Sequence, residues 1–269
     1  MNFFEISRLK ILWKLLFWGI LLLLVFSFFL KGALPDSSKI QPALFTEPLQ
    51  EETERKDFSF LYRETEYKVH PMYYYELNAL VVSHNDIGGW GDIYHDENSL
   101  DLKDLCVVWG DNLKDDIYKK IDVKNTSWTC WVDAPPAGVL FHMNKLSNNH
   151  LISSDPKIQE KIRNIHRGDQ VHIKGLLVSY TRDGYLPRVS SITREDTGNH
   201  ACEVFFVDEL EILRPAPPFW FFAYTGSQWV LGVLLCFRVW LWFYEGKKER
   251  EEWNKRVERG KNAEESSGY

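Results

Sequence analysis

Two apolar stretches bracket this chain of 269 residues and constrain it more than any other feature. They occupy residues 11–31 and 219–244, and nothing comparable lies between them. At a rise of ~1.5 Å per residue, each is long enough to cross a bilayer as an α-helix. The pattern predicts a two-span membrane protein that carries one folded domain in its middle.

A cleavable signal peptide is the rival reading of the first stretch. Such a segment has a shorter apolar core followed by small residues at a cleavage site. Here Phe28, Phe29 and Leu30 run into Lys31, Gly32 and Pro35, so a retained anchor is expected. Lys247, Lys248, Arg250 and Lys255 follow the second stretch, and the excess of cations assigns that side to the cytoplasm. Residues 1–10 and 245–269 are then cytoplasmic. Residues 32–57, rich in proline, serine and glutamate without apolar periodicity, are expected as a linker to an extracytoplasmic domain over 58–214. A bacterial inner membrane with a periplasmic domain is the expected setting.

The whole chain carries a formal charge of −6, but the balance is uneven. Over residues 36–214, twenty Lys and Arg stand against thirty Asp and Glu, a net charge of −10. An acidic domain repels phosphate backbones, which argues against a nucleic-acid partner.

Periodicity makes the central domain mostly β with one or two helices, an α+β arrangement flanked by the two membrane helices. Tyr75, Leu77, Ala79 and Val81 alternate as in a half-buried strand. Asp155 followed by Pro156 opens a helix with Ile158, Ile162 and Ile165 on one face. Strands are expected over 170–180, with a bend at Gly175, and over 202–212, where Asp208 breaks the rhythm. Helix, then Gly168, Asp169, Val171, Ile173 and Gly175, then a terminal strand resembles the later half of an OB-fold. The resemblance implies a small β-barrel plugged by a helix between its third and fourth strands, with a glycine that lets a strand curl. It also implies a binding face for oligonucleotides, oligosaccharides or proteins. Two departures stand out: the loop after Asn85 is long, and residues 133–149 would have to be a further insertion.

The loop 84–104 places His84, Asp86, His95 and Asp96 close together, imidazole and carboxylate ligands that suit zinc or another divalent ion. The bland alternative is a hydrated acidic turn. The polar run 190–203 contains Arg194, Asp196 and His200, expected as ligand or partner contacts; a hairpin connection built from turn-forming residues is the alternative. Trp90, in a glycine-rich loop, is an aromatic contact candidate. Cys106 and Cys130 each sit in a short strand-like run, and a disulfide between them would contribute about 3 kcal/mol. The alternative leaves them as buried thiols. No cofactor motif is present and no cofactor is expected.

These observations imply a membrane-anchored binding or scaffold module that contacts a protein or glycan of the cell envelope. The competing expectation is a membrane-bound enzyme, in the form of a metal-dependent hydrolase using one of the two loops.

Overall fold

In chain order the elements are α1 (Phe3–Leu30), β1 (Leu49–Glu52), β2 (Phe58–Tyr62), β3 (Thr65–Asp86), β4 (Lys103–Val108), β5 (Val123–Asn125), β6 (Cys130–Val132), β7 (Leu146–Ile152), α2 (Pro156–Arg163), β8 (Gln170–Arg182), β9 (Arg188–Val189), β10 (Cys202–Arg214) and α3 (Pro218–Ser266). They come from a computed structural model that describes residues 3–88, 92, 95, 98–126, 129–195 and 201–266. The chain is mixed α/β and forms two units, Gly32–Pro217 on one hand and α1 with α3 on the other.

In the helical unit, Lys10–Leu30 and Phe219–Arg259 are long and apolar enough to cross a membrane. Most of their large apolar side chains are uncovered by protein, so packing within the chain does not account for the composition. The helices run antiparallel. Lys10 meets Glu245 at 2.8 Å near one end, and Phe26 meets Trp220 edge-on at 5.2 Å near the other. Between these, the Trp13 indole donates to the Leu234 carbonyl at 3.1 Å. Ser27 and Ser227 are enclosed, as small residues are where helices approach closely. Beyond 244, α3 continues without a break into its charged tail.

In the unit Gly32–Pro217, β3 pairs with β4, β4 with β7, β7 with β10, β10 with β8, and β8 with β3 again. All of these pairings are antiparallel except β7–β10, which is parallel. β1, β2 and β9 extend this sheet, and β5 with β6 forms a separate ribbon.

The alternation seen in the sequence positions the core. Tyr75, Leu77, Ala79 and Val81 are buried with Ile173, Leu177 and Phe205 in the main cluster. Leu80 and Val82, on the opposite face, join Cys106, Val108, Leu113 and Tyr118 in a second cluster. This part of β3 is therefore covered on both faces, which explains its unbroken apolar run.

Local signals account for the joints. The Asp155 side chain accepts the Lys157 amide at 2.8 Å, capping α2, and Pro156 takes the first helical position. Gly168 adopts φ +94°, a conformation that disfavours any side chain. Asp169 then holds the turn, accepting the His166 amide and the Ala216 amide, each at 2.7 Å. At Gly175 a Cβ would fall 2.0 Å from the Phe206 carbonyl oxygen, so only glycine admits the β8–β10 approach. The pairing register slips between Val207 and Glu209, which places Asp208 in a bulge.

Two expectations need correction. Residues 32–57 are not a loose linker: Leu44 is fully buried, the Gln41 amide donates to Gln170 Oε1 at 2.7 Å, and β1 adds to β3. Short 3-10 turns and a four-residue strand leave no periodicity to read, and isolated anchors give no pattern. Nor is 133–149 wholly an insertion, because its end opens β7, a central strand. Ser147, Asn148 and Asn149 are polar yet buried between β4 and β10, where strand pairing satisfies their backbones.

Candidate functional site

Among the described residues, three neighbouring strands carry a dense group of buried polar side chains. Across β4, β7 and β10, Asp104 stands opposite His150, while Cys106 and Cys202 stand on either side of Asn148. Side chains two apart on a strand share a face. Asp104 with Cys106, Asn148 with His150, and Cys202 therefore belong to one side of the sheet.

Asp104 and His150 are both enclosed, and His150 Nδ1 lies 2.5 Å from Asp104 Oδ1. Burial alone would lower the imidazole pKa, but the hydrogen bond to Asp104, with the neighbouring Cys202, raises it to about 10. Burial raises the Asp104 carboxyl in spite of His150. Cys202 is held below the usual thiol value. Burial pushes it up, and His150 together with the Asn148 amide, 3.3 Å from Sγ, outweighs that push. Asp101, also buried, accepts from Tyr180 at 3.1 Å and from Arg188, closing the polar cluster. A thiol, an imidazole and a carboxylate in this order are the parts of an activated nucleophile.

A cleft of about 570 Å³ adjoins these strands, lined among others by Cys130, Trp131, Met143, Asn148, Arg194 and Glu203. Trp131 and Met143 are exposed. The Arg194 guanidinium lies 5.4 Å from the Trp109 ring centroid and 5.6 Å from that of Tyr75, within cation–π range. Trp109 donates to Glu47 at 2.9 Å, and Lys145 pairs with the same carboxylate at 2.9 Å. Burial raises the Glu47 carboxyl, but Lys145 and the indole bring it below its ordinary value. Among the described residues, no group meets the buried Tyr75 Oη or Asn149 Oδ1 at hydrogen-bond geometry, although Ser147 and Arg194 stand close enough to the phenol to act on it. Burial, then the charge of Glu203, raises the Tyr75 phenol.

Of the residues singled out in the sequence, Arg194 lines this cleft. Trp90, Asp96, Asp196 and His200 lie outside the described residues. His84 and Asp86 stand together, with His84 Nδ1 3.7 Å from Asp86 Oδ1. Burial and then the Lys103 charge lower the His84 pKa to about 4. Lys103 itself serves structure, donating to the Arg163 and Ile165 carbonyls at the end of α2 and pairing with Asp86 at 2.9 Å. His95 contacts Asp92 at 3.0 Å. Among the described residues, no three His, Cys, Asp or Glu side chains gather as a metal site. Cys106 and Cys130 are disulfide-bonded, with their Cα atoms 5.7 Å apart.

Sequence reasoning missed the grouping of Asp104, His150 and Cys202. The readable signal was Asp104, a carboxylate running straight into the apolar Leu105, Cys106, Val107 and Val108; His150 ends the polar run 147–150 and offers none. No family model matches this chain, and no curated protein or solved structure matches it.

Proposed function

We propose that this chain is a membrane-anchored extracytoplasmic binding module that holds a protein partner of the cell envelope in the cleft beside β7 and β10. The observation that carries this reading is the make-up of that cleft, where exposed Trp131 and Met143 adjoin Arg194 and Glu203. Aromatic residues, methionine and arginine are the types enriched where proteins dock. A glycan is the second occupant that aromatic and polar groups could suit, whereas the acidic balance of the domain opposes nucleic acid.

In this reading the circuit β3–β4–β7–β10–β8 is an OB-like barrel. Support comes from α2, which falls between the third and fourth of these strands in chain order, and from Gly175. The two apolar helices anchor the chain with both termini in the cytoplasm of a bacterial cell. The cations after residue 246 support this orientation.

Crosslinking of intact cell envelopes followed by purification of the full chain tests the module. A specific protein should be recovered with the wild type, and at least tenfold less of it with Trp131→Ala or Arg194→Ala chains that melt normally. Recovery of the chain alone, or equal recovery with both variants, would overturn the proposal. Thiol-label accessibility in sealed vesicles tests the orientation, which fails if residues 58–214 and the tail are labelled from the same side.

A further inference from the structure

Three cysteines of the β unit converge on one amide. Asn148 faces Cys106 on one side and Cys202 on the other. Its Oδ1 lies 3.6 Å from Cys130 Sγ and its Nδ2 lies 3.3 Å from Cys202 Sγ. A single side-chain amide thus separates a disulfide from a thiol. His150, two residues along the same strand, stands on the same face and is held by Asp104.

Which sulfur the thiol could reach is decided by sheet geometry. Cys106 and Cys202 sit on the strands that flank β7, two strand spacings or about 9.5 Å apart. That exceeds the Cα separation of about 4.4–6.8 Å that a disulfide spans. Cys130 is different: it belongs to the three-residue strand β6, outside the main sheet, and it lines the cleft. Displacement of that ribbon, with rotation of Asn148, brings Cys130 toward Cys202 and leaves the pairing of β4, β7 and β10 intact.

We propose that Cys202 exchanges with the Cys106–Cys130 disulfide, its thiolate attacking Cys130 Sγ in line with the existing bond. The Cys202–Cys130 bond forms as the Cys130–Cys106 bond breaks, and the electron pair leaves on Cys106 Sγ. The proton that Cys202 gives up goes to water, its thiolate stands beside the protonated His150, and the departing Cys106 thiolate takes a proton back from water. One disulfide and one thiol exist before and after, so no oxidant or reductant is consumed. His150 and Asp104 act as positioning residues that keep Cys202 nucleophilic. The exchange moves β5 and β6 from their tie to β4 toward a tie to β10. It would therefore change the wall of the cleft that Cys130 and Trp131 form, whatever occupies it.

The full chain in detergent carries the test. In a Cys106→Ser chain, which has no competing partner for Cys130, oxidation with diamide should yield a Cys130–Cys202 disulfide in most molecules, read by mass spectrometry of the linked peptides. Both thiols remaining fully alkylatable in a chain that melts cooperatively would overturn the proposal. The wild-type chain provides a readout that does not depend on this variant folding. The pH profile of Cys202 alkylation should have its midpoint below that of the same cysteine in the unfolded chain, and His150→Gln should slow labelling about tenfold at pH 7. A wild-type midpoint at or above the unfolded one, or labelling indifferent to His150→Gln, would overturn the role given to His150 and with it the proposal.

Discussion

His150 on β7 and Asp104 on β4, 46 residues apart in the chain, share a hydrogen bond of 2.5 Å with both side chains enclosed by the sheet. Two ionisable groups in such a place are costly singly and compatible together. Their proximity also sets the character of the neighbouring Cys202 thiol.

Stability should depend on pH through this pair. The folded-state pKa of His150, about 10, lies above its unfolded value of about 6.5, so the contribution is complete below pH ~6.5 and is lost as pH rises toward 10. Denaturant unfolding between pH 6 and 10 should show falling stability, and His150→Gln should flatten the slope. An NMR titration of the His150 ring should place its midpoint well above that of an exposed histidine.

Asp104→Ala strands a buried imidazole and should cost about 3–5 kcal/mol. Asp104→Leu combined with His150→Leu removes both polar groups and should cost much less than the sum of the single changes. Chemical denaturation of the four chains in the cycle measures the coupling. An additive result would mean that the two side chains do not sense each other.

Gly175→Ala puts a methyl group into the Phe206 carbonyl, which belongs to a paired strand and has nowhere to go. The expected loss is about 3 kcal/mol or more. Gly88→Ala, where nothing among the described residues lies within 4 Å of the added atom, should cost only about 1–2 kcal/mol from its φ of +70°. Comparison of the two melts separates crowding from backbone conformation.

Tyr75→Phe removes a buried hydroxyl that no described group meets at hydrogen-bond geometry, with Ser147 and Arg194 nearby, while keeping the ring against Phe205, 5.0 Å away edge-on. Relief of the desolvation cost should stabilise the domain by about 1 kcal/mol. A loss of stability would show that the hydroxyl is hydrogen-bonded in solution.

Much of the architecture could be read from short stretches of chain, because apolar length, alternation and capping are local properties. The two apolar helices, the alternating half of β3, the Asp155–Pro156 start of α2 and the turn at Gly168 and Asp169 all announce themselves within a few residues. Even the irregularity at Asp208 was visible as a break in rhythm. By contrast, residues 32–57 and the strand β7 carry no such local signal, since Leu44 is a single anchor and Ser147 to His150 is a polar run.

Where the chain is greasy, where it turns and which faces alternate are all legible along short stretches of residues. That Asp104, Asn148, His150 and Cys202 meet is a property of the folded sheet, because it depends on the register of β4, β7 and β10. Strand pairing joins residues that are distant in the chain through backbone hydrogen bonds that every residue type offers, so side-chain pattern alone does not reveal which strands become neighbours.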